Sequence, residues 1–145
     1  MRRYFPFETY TPVDQADKQP GIIKLKITPR TVQAFDLEPF NVVDIDCYGD
    51  PFEIWSVVAP RIAHRTAVFL TFGHLGLGGS SLSYFLREQN GIPKEWPIPV
   101  DRELNILCGR RYFMASMCKV NASLALVVDH ERVSYYGALV HGKAR

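Results

Sequence analysis

A chain of 145 residues fits one domain and can bury about 70% of its unfolded surface, so it holds a core without disulfide or metal staples. Its 47% hydrophobic and 22% charged residues are those of a globular protein, and a net charge of +2 excludes a strongly polyanion-directed surface while leaving room for a local basic groove. Cys47, Cys108 and Cys118 show no CxxC spacing, which excludes a disulfide framework or a zinc ribbon and implies reduced thiols.

In chain order, residues 1–21 have a character of their own. Tyr4, Phe5, Phe7 and Tyr10 alternate with Pro6, Pro12 and polar residues, and no helical period runs through them. They are expected to form an extended arm. Exposed rings in such an arm make a sticky patch, so it is expected to dock on its own domain or on a neighbouring subunit. Two arginines follow Met1 without an apolar run behind them, so no signal peptide is expected. No apolar run approaches the roughly 20 residues of a membrane span. The expected location is the cytoplasm, or a particle assembled there.

Residues 22–141 read as a single β-rich domain, and residues 142–145 as a short basic tail. Residues 22–28 and 42–48 alternate with period two, as half-buried strands do. Antiparallel pairing with Lys26 opposite Asp44 also sets Lys24 opposite Asp46. Gly49-Asp50-Pro51 reads as a turn, and residues 52–59 as the next strand, stopped by Pro60. Residues 67–72 form an apolar run with little alternation, the pattern of a strand covered on both faces.

From Ser80 the period changes. Leu82, Phe85 and Leu86 lie at i, i+3 and i+4, with Ser80 or Ser81 available as N-cap, so a short helix is expected at about 80–89. Asn90-Gly91 and then Pro93 provide its stop. Residues 92–101 hold three prolines and Trp96 and are expected to be irregular. Four more strands are expected at 103–108, 112–119, 123–129 and 133–141, with turns at Gly109-Arg110, Val120-Asn121 and 129–132. About eight strands with one inserted helix predict a mainly β fold: an antiparallel sandwich, jelly-roll-like, or a partly closed barrel.

The loop from Gly73 to Ser81 lies between a strand and a helix, where backbone amides can hold an anion. It lacks the Lys-Ser or Lys-Thr of a P-loop, and Ser81 stands where GxGxxG needs glycine, so Gly76, Gly78 and Gly79 read as a contact loop. Ser80, Ser81, Cys108 and Cys118 could each pair with His64, His74, His130 or His141, but no nucleophile elbow is present. No catalytic residue is assigned. Asp44-x-Asp46 offers two carboxylates on one strand face without a third ligand, and the histidines lack metal spacing, so no metal or other cofactor is expected.

An aromatic arm, a Pro/Trp-rich excursion and a glycine loop without a catalytic set point to a structural, self-assembling protein. Such a subunit could be a virion capsid, cement or tail component, with Tyr4, Phe5, Phe7, Tyr10, Gly76, Gly78, Gly79 and Trp96 at interfaces and a homo-oligomer as the assembly. The alternative is an OB-like domain binding single-stranded nucleic acid through Arg110, Arg111, Tyr112, Lys119, Arg132 and Tyr135. A small enzyme is the third reading.

Overall fold

The computed structural model of the protein describes residues 11, 13–14, 23–24, 27–47, 50–74, 82–97 and 101–142. Its centre is a four-stranded sheet in the order β3-β4-β6-β5, built from β3 (Val42–Ile45), β4 (Thr66–Gly73), β5 (Ala122–Asp129) and β6 (Val133–Val140). The first pair is parallel and the other two are antiparallel. A separate parallel pair joins β1 (Val13–Asp14) to β2 (Ile23–Lys24), and α1 (Pro29–Gln33) follows.

Between β3 and β4 the chain makes α2 (Pro51–Val58) and a 3-10 turn, the crossover that parallel strands require. Asp50 starts this helix: its carboxylate accepts from the Phe52 amide at 2.8 Å, and Pro51 fills the first position, where its missing N–H costs nothing. The helix buries Phe52, Ile54, Trp55 and Val58. Asp101 caps α4 (Arg102–Lys119) in the same way, accepting from the Glu103 and Leu104 amides at 2.8 and 3.0 Å. Ser83 caps α3 (Tyr84–Gln89), which ends at Asn90 and a left-handed Gly91.

These helices cover one face of the sheet. Alternation along β4 sends Thr66, Val68, Leu70 and Phe72 into the helix layer, and register places Ser134, Tyr136, Ala138 and Val140 of β6 beside them. Phe52 of α2 is enclosed by the rings of Phe72, Tyr136, Tyr112 and Phe113 at centroid distances of 4.9, 5.3, 6.0 and 6.5 Å. Trp55 packs on Phe113 at 5.2 Å and donates its indole N–H to Ser116 at 2.7 Å.

The eight-stranded sandwich or barrel is therefore overturned: among the described residues one open sheet of four strands is accompanied by four helices. Residues 52–58, expected as a strand with Ala59, belong to α2, and Ala59 opens the 3-10 turn, because Asp50-Pro51 is a helix start rather than a strand turn. The strands expected at 103–108 and 112–119 are one 18-residue helix, with Gly109-Arg110 inside it. Its buried residues Asn105, Cys108, Gly109, Phe113, Ser116 and Met117 recur at helical spacing, but Asn, Gly and Ser among them hide the stripe from a reading based on apolar character. The expected antiparallel pairing of 22–28 with 42–48 is replaced by β1–β2 and by the parallel β3–β4 pair, and Lys26 lies outside the described residues. Strands at 66–73, 122–129 and 133–140 and a helix within 80–89 form as expected, although β4 alternates in burial and α3 is capped by Ser83. No helix among the described residues is long and apolar enough to cross a membrane.

Gly109 tests the tightness of this core. A Cβ there would lie 2.7 and 2.9 Å from two atoms of the fully buried Phe52 ring. Gly109→Ala gains about 1 kcal/mol of helix propensity, against roughly 1–3 kcal/mol of overpacking. Because four rings enclose Phe52, the expected outcome in urea unfolding is a net loss of up to about 2 kcal/mol. A stability increase would show that the ring has room to move.

Candidate functional site

The carboxyl ends of β3 and β4 gather most of the buried polar groups. Open α/β sheets place their ligands at this end of parallel strands. Here α2 and α3 are tied together: the Ser83 hydroxyl donates to Asp50 while its oxygen accepts from the Leu86 amide at 3.1 Å. Burial raises the Asp50 carboxyl above the usual carboxylate range, against the opposing effect of Ser83 and the Phe52 and Glu53 amides.

At the end of β4, His74 is buried with 1% of its surface exposed. Its Nε2 is 2.6 Å from Ser134 Oγ, and Ser134 donates to Asp129 at 2.6 Å. Arg102 Nε donates to His74 Nδ1 at 3.1 Å, and the Asn105 amide donates to the His74 carbonyl at 2.7 Å. Arg110 pairs with the other oxygen of Asp129.

A serine, a histidine and an aspartate in contact invite comparison with a hydrolytic triad, and proton positions decide against one. Arginine can only donate, so His74 Nδ1 carries a lone pair and Nε2 carries the hydrogen. Ser134 gives its single proton to Asp129 and accepts from His74. In a nucleophilic triad the histidine lies between the acid and the serine and takes the serine proton. Here serine lies in the middle, and it is fully buried. The arrangement locks the β5–β6 hairpin to α4 and the end of β4. Burial, and then the Arg102 charge, lower the His74 pKa, with a hydrogen bond to the Glu131 backbone and then the Asp129 charge opposing. The Ser134 hydrogen bond, helped by Arg110, lowers that of Asp129.

The opposite face of the sheet has a different chemistry. Residues in register share a face, which places Val42 and Asp44 beside Ala67, Phe69 and Thr71. Tyr135, Gly137 and Leu139 of β6 continue this face, and Leu126 and Val128 of β5 end it. Asp44 is the only charged side chain among them, and burial followed by the Asp46 charge raises its pKa. Phe69, Leu126, Val128 and Tyr135 are 40–44% exposed. Gly137 makes the centre possible: a Cβ there would sit 3.2 Å from both the Phe69 ring and Leu126.

The residues singled out in the sequence are placed by the structure in part. Trp96 is exposed, in a segment whose carbonyls at Pro93, Lys94 and Trp96 are gripped by Arg87. Tyr4, Phe5, Phe7, Tyr10, Gly76, Gly78, Gly79, Ser80 and Ser81 lie outside the described residues. Of the nucleic-acid set, Arg110 is engaged by Asp129, Arg132 is in the hairpin loop, Tyr135 is on the bare face, and Arg111, Tyr112 and Lys119 line a cavity between α3 and α4. The platform expected from strands does not form, because 110–112 and 119 belong to a helix. Cys108 is buried, its thiol pushed up by burial, and Cys118 is exposed on α4. Neither is hydrogen-bonded to a histidine among the described residues: His64 meets the Phe40 carbonyl at 3.1 Å and His141 meets Ser123 at 3.0 Å. Asp44 and Asp46 gain no third metal ligand among the described residues. No protein-family model, curated protein or solved structure matches this chain.

The His74 arrangement fixes a pH dependence. Its folded pKa lies below the unfolded value of 6.5, so the unfolded chain binds the proton first. This contribution is fully present above pH 6.5 and is lost as pH falls below it, by at most about 1.4 kcal/mol per pH unit for one proton. Urea unfolding at stepped pH is expected to show this slope in the wild type and a reduced one in His74→Gln. An unchanged slope in the variant would assign the effect to another histidine.

Proposed function

We propose that this protein is a self-assembling structural subunit whose bare sheet face is covered by a second copy of the chain. The observation that carries the reading is the nearly uncharged outer face of β4, β5 and β6. An antiparallel sheet that faces water alternates apolar-in with polar-out, and parallel pairs such as β3–β4 are normally covered on both faces. Here Phe69, Leu126, Val128 and Tyr135 stand where polar side chains belong. Contiguous exposed apolar surface of this kind marks an interaction site.

A copy of the same face is a suitable cover. Two such sheets can stack about 10 Å apart with their side chains interdigitated, and a four-strand footprint is on the order of 500 Å² before side-chain relief is counted. That approaches the roughly 800 Å² of accessible surface per partner in a standard interface. Asp44, on edge strand β3, falls at the rim, where charge is tolerated. β5 adds a second means of growth: its stretch Ser123 to Val128 carries no charge and no proline, the usual guards of an exposed edge. A virion component, as expected from the sequence, is one form such an assembly can take.

A second reading rests on the carboxyl ends of β3 and β4, where open α/β sheets hold small ligands and where the Asp50–Ser83 and His74–Asn105 hydrogen bonds lie. A thermal-shift screen tests it: stabilising compounds should lose their effect in Ser83→Ala.

For the assembly reading, light scattering coupled to gel filtration is expected to give a dimer or larger species at micromolar concentration. Phe69→Lys and Val128→Lys should shift it to folded monomer, as judged by circular dichroism. A wild-type monomer at every concentration would defeat the proposal. So would an oligomer indifferent to both substitutions. If removing residues 1–20 turns a monomer into an oligomer, the arm is the cover instead.

A further inference from the structure

Within the helix layer, a cavity of about 210 Å³ opens between the end of α3 and the second half of α4. Arg111 and Lys119 stand on it two helical turns apart, with Tyr112, Ser116, Gln89 and Asn90 completing the lining. We propose that this cavity is a binding site for a small phosphate-bearing ligand.

The charges carry the argument. Arg61, Arg87 and Arg102 are occupied by carbonyls or by His74, and Arg110 by Asp129. Arg111 and Lys119 make no hydrogen bond or ion pair with another described residue, and no acidic side chain lines the cavity. Two cations facing one concavity repel unless an anion is shared between them, and a low-dielectric wall strengthens their common field. The wall is present: Tyr112 is half-buried, edge-on to Phe85 at 5.1 Å. Ser116 is buried at the floor.

The remaining polar groups narrow the ligand. Asn90 spends its amide hydrogens on the carbonyls of Leu86 and Cys108 at 2.8 and 3.3 Å. Ser116 spends its proton on the Phe113 carbonyl at 2.7 Å while accepting from Trp55. Positive charge for the ligand therefore comes from Arg111, whose planar fork suits a phosphate, and from Lys119 as a point charge. The volume is below the 300–1,000 Å³ typical of whole drug-sized ligands, so it fits a phosphate group with a short attachment. The site lies in the helix layer, away from the bare sheet face, and is independent of assembly.

The test is titration of the isotopically labelled full chain with inorganic phosphate and pyrophosphate, followed by amide chemical shifts. Changes are expected at residues 89–90 and 111–119, saturating in the millimolar range or tighter, with pyrophosphate the stronger probe. Both cations are on the surface, where substitution leaves stability nearly unchanged, so Arg111→Gln with Lys119→Gln should retain the wild-type spectrum elsewhere and weaken binding by about tenfold or more. Absence of shifts at these residues overturns the proposal, as do shifts that survive in the double variant. A single-stranded oligonucleotide that binds here more tightly than pyrophosphate also overturns it, since the site would then read a polymer backbone.

Discussion

The position of the Phe52 ring governs this fold. It is fully buried, and rings from β4, β6 and α4 surround it. Its depth is set by Asp50 and Pro51, which start α2 just before it, and by Gly109, which leaves room for it on α4. An aromatic cluster of this size supplies a large apolar burial together with edge-to-face contacts of about 0.5–1.5 kcal/mol per pair. Because α2 and α4 share the same ring, they cannot move independently over the sheet. The helix layer behaves as one plate.

Polar groups occur both inside this plate and at its rim. Within the plate, the Trp55 indole N–H has a short, directed partner in Ser116. At the carboxyl end of β4, where hairpin, helix and strand meet, His74, Ser134, Asp129, Arg102 and Asn105 form a chain of donors and acceptors. A neutral histidine suits this chain, because a second ring proton would point at Arg102. The network is a clasp, and its resemblance to a catalytic set ends at the direction of the serine proton.

What the sequence made legible follows from the range of the physics. β4, β5 and β6 are bounded by strong turn residues and carry their own pattern, and Asn90-Gly91 stops α3 by local geometry. α2 and α4 are hidden in the sequence because a capping aspartate with proline resembles a turn, and because α4 buries Asn105, Gly109 and Ser116, which do not register as apolar. Pairing of β3 parallel to β4 depends on recognising α2 as a crossover, so one error produced the other. The clasp joins residues 60 positions apart, and nothing local to His74 or Ser134 announces it. Arg111, Tyr112 and Lys119 were noticed for their chemistry, but a strand would have turned Tyr112 and Lys119 to opposite faces. Helical spacing brings them to one cavity.

The outer face of the sheet and the α3–α4 cavity differ in kind. The bare face offers apolar side chains with Asp44 alone at its edge, whereas the α3–α4 cavity offers two cations and no acid. If copies stack through the bare face, their helix layers point outward, and every α3–α4 cavity remains open to solvent. Assembly would then array basic cavities on its exterior, raising the local concentration of cation sites without burying any of them. The polarity of a single plate, apolar behind and basic in front, is sufficient to make the two properties compatible.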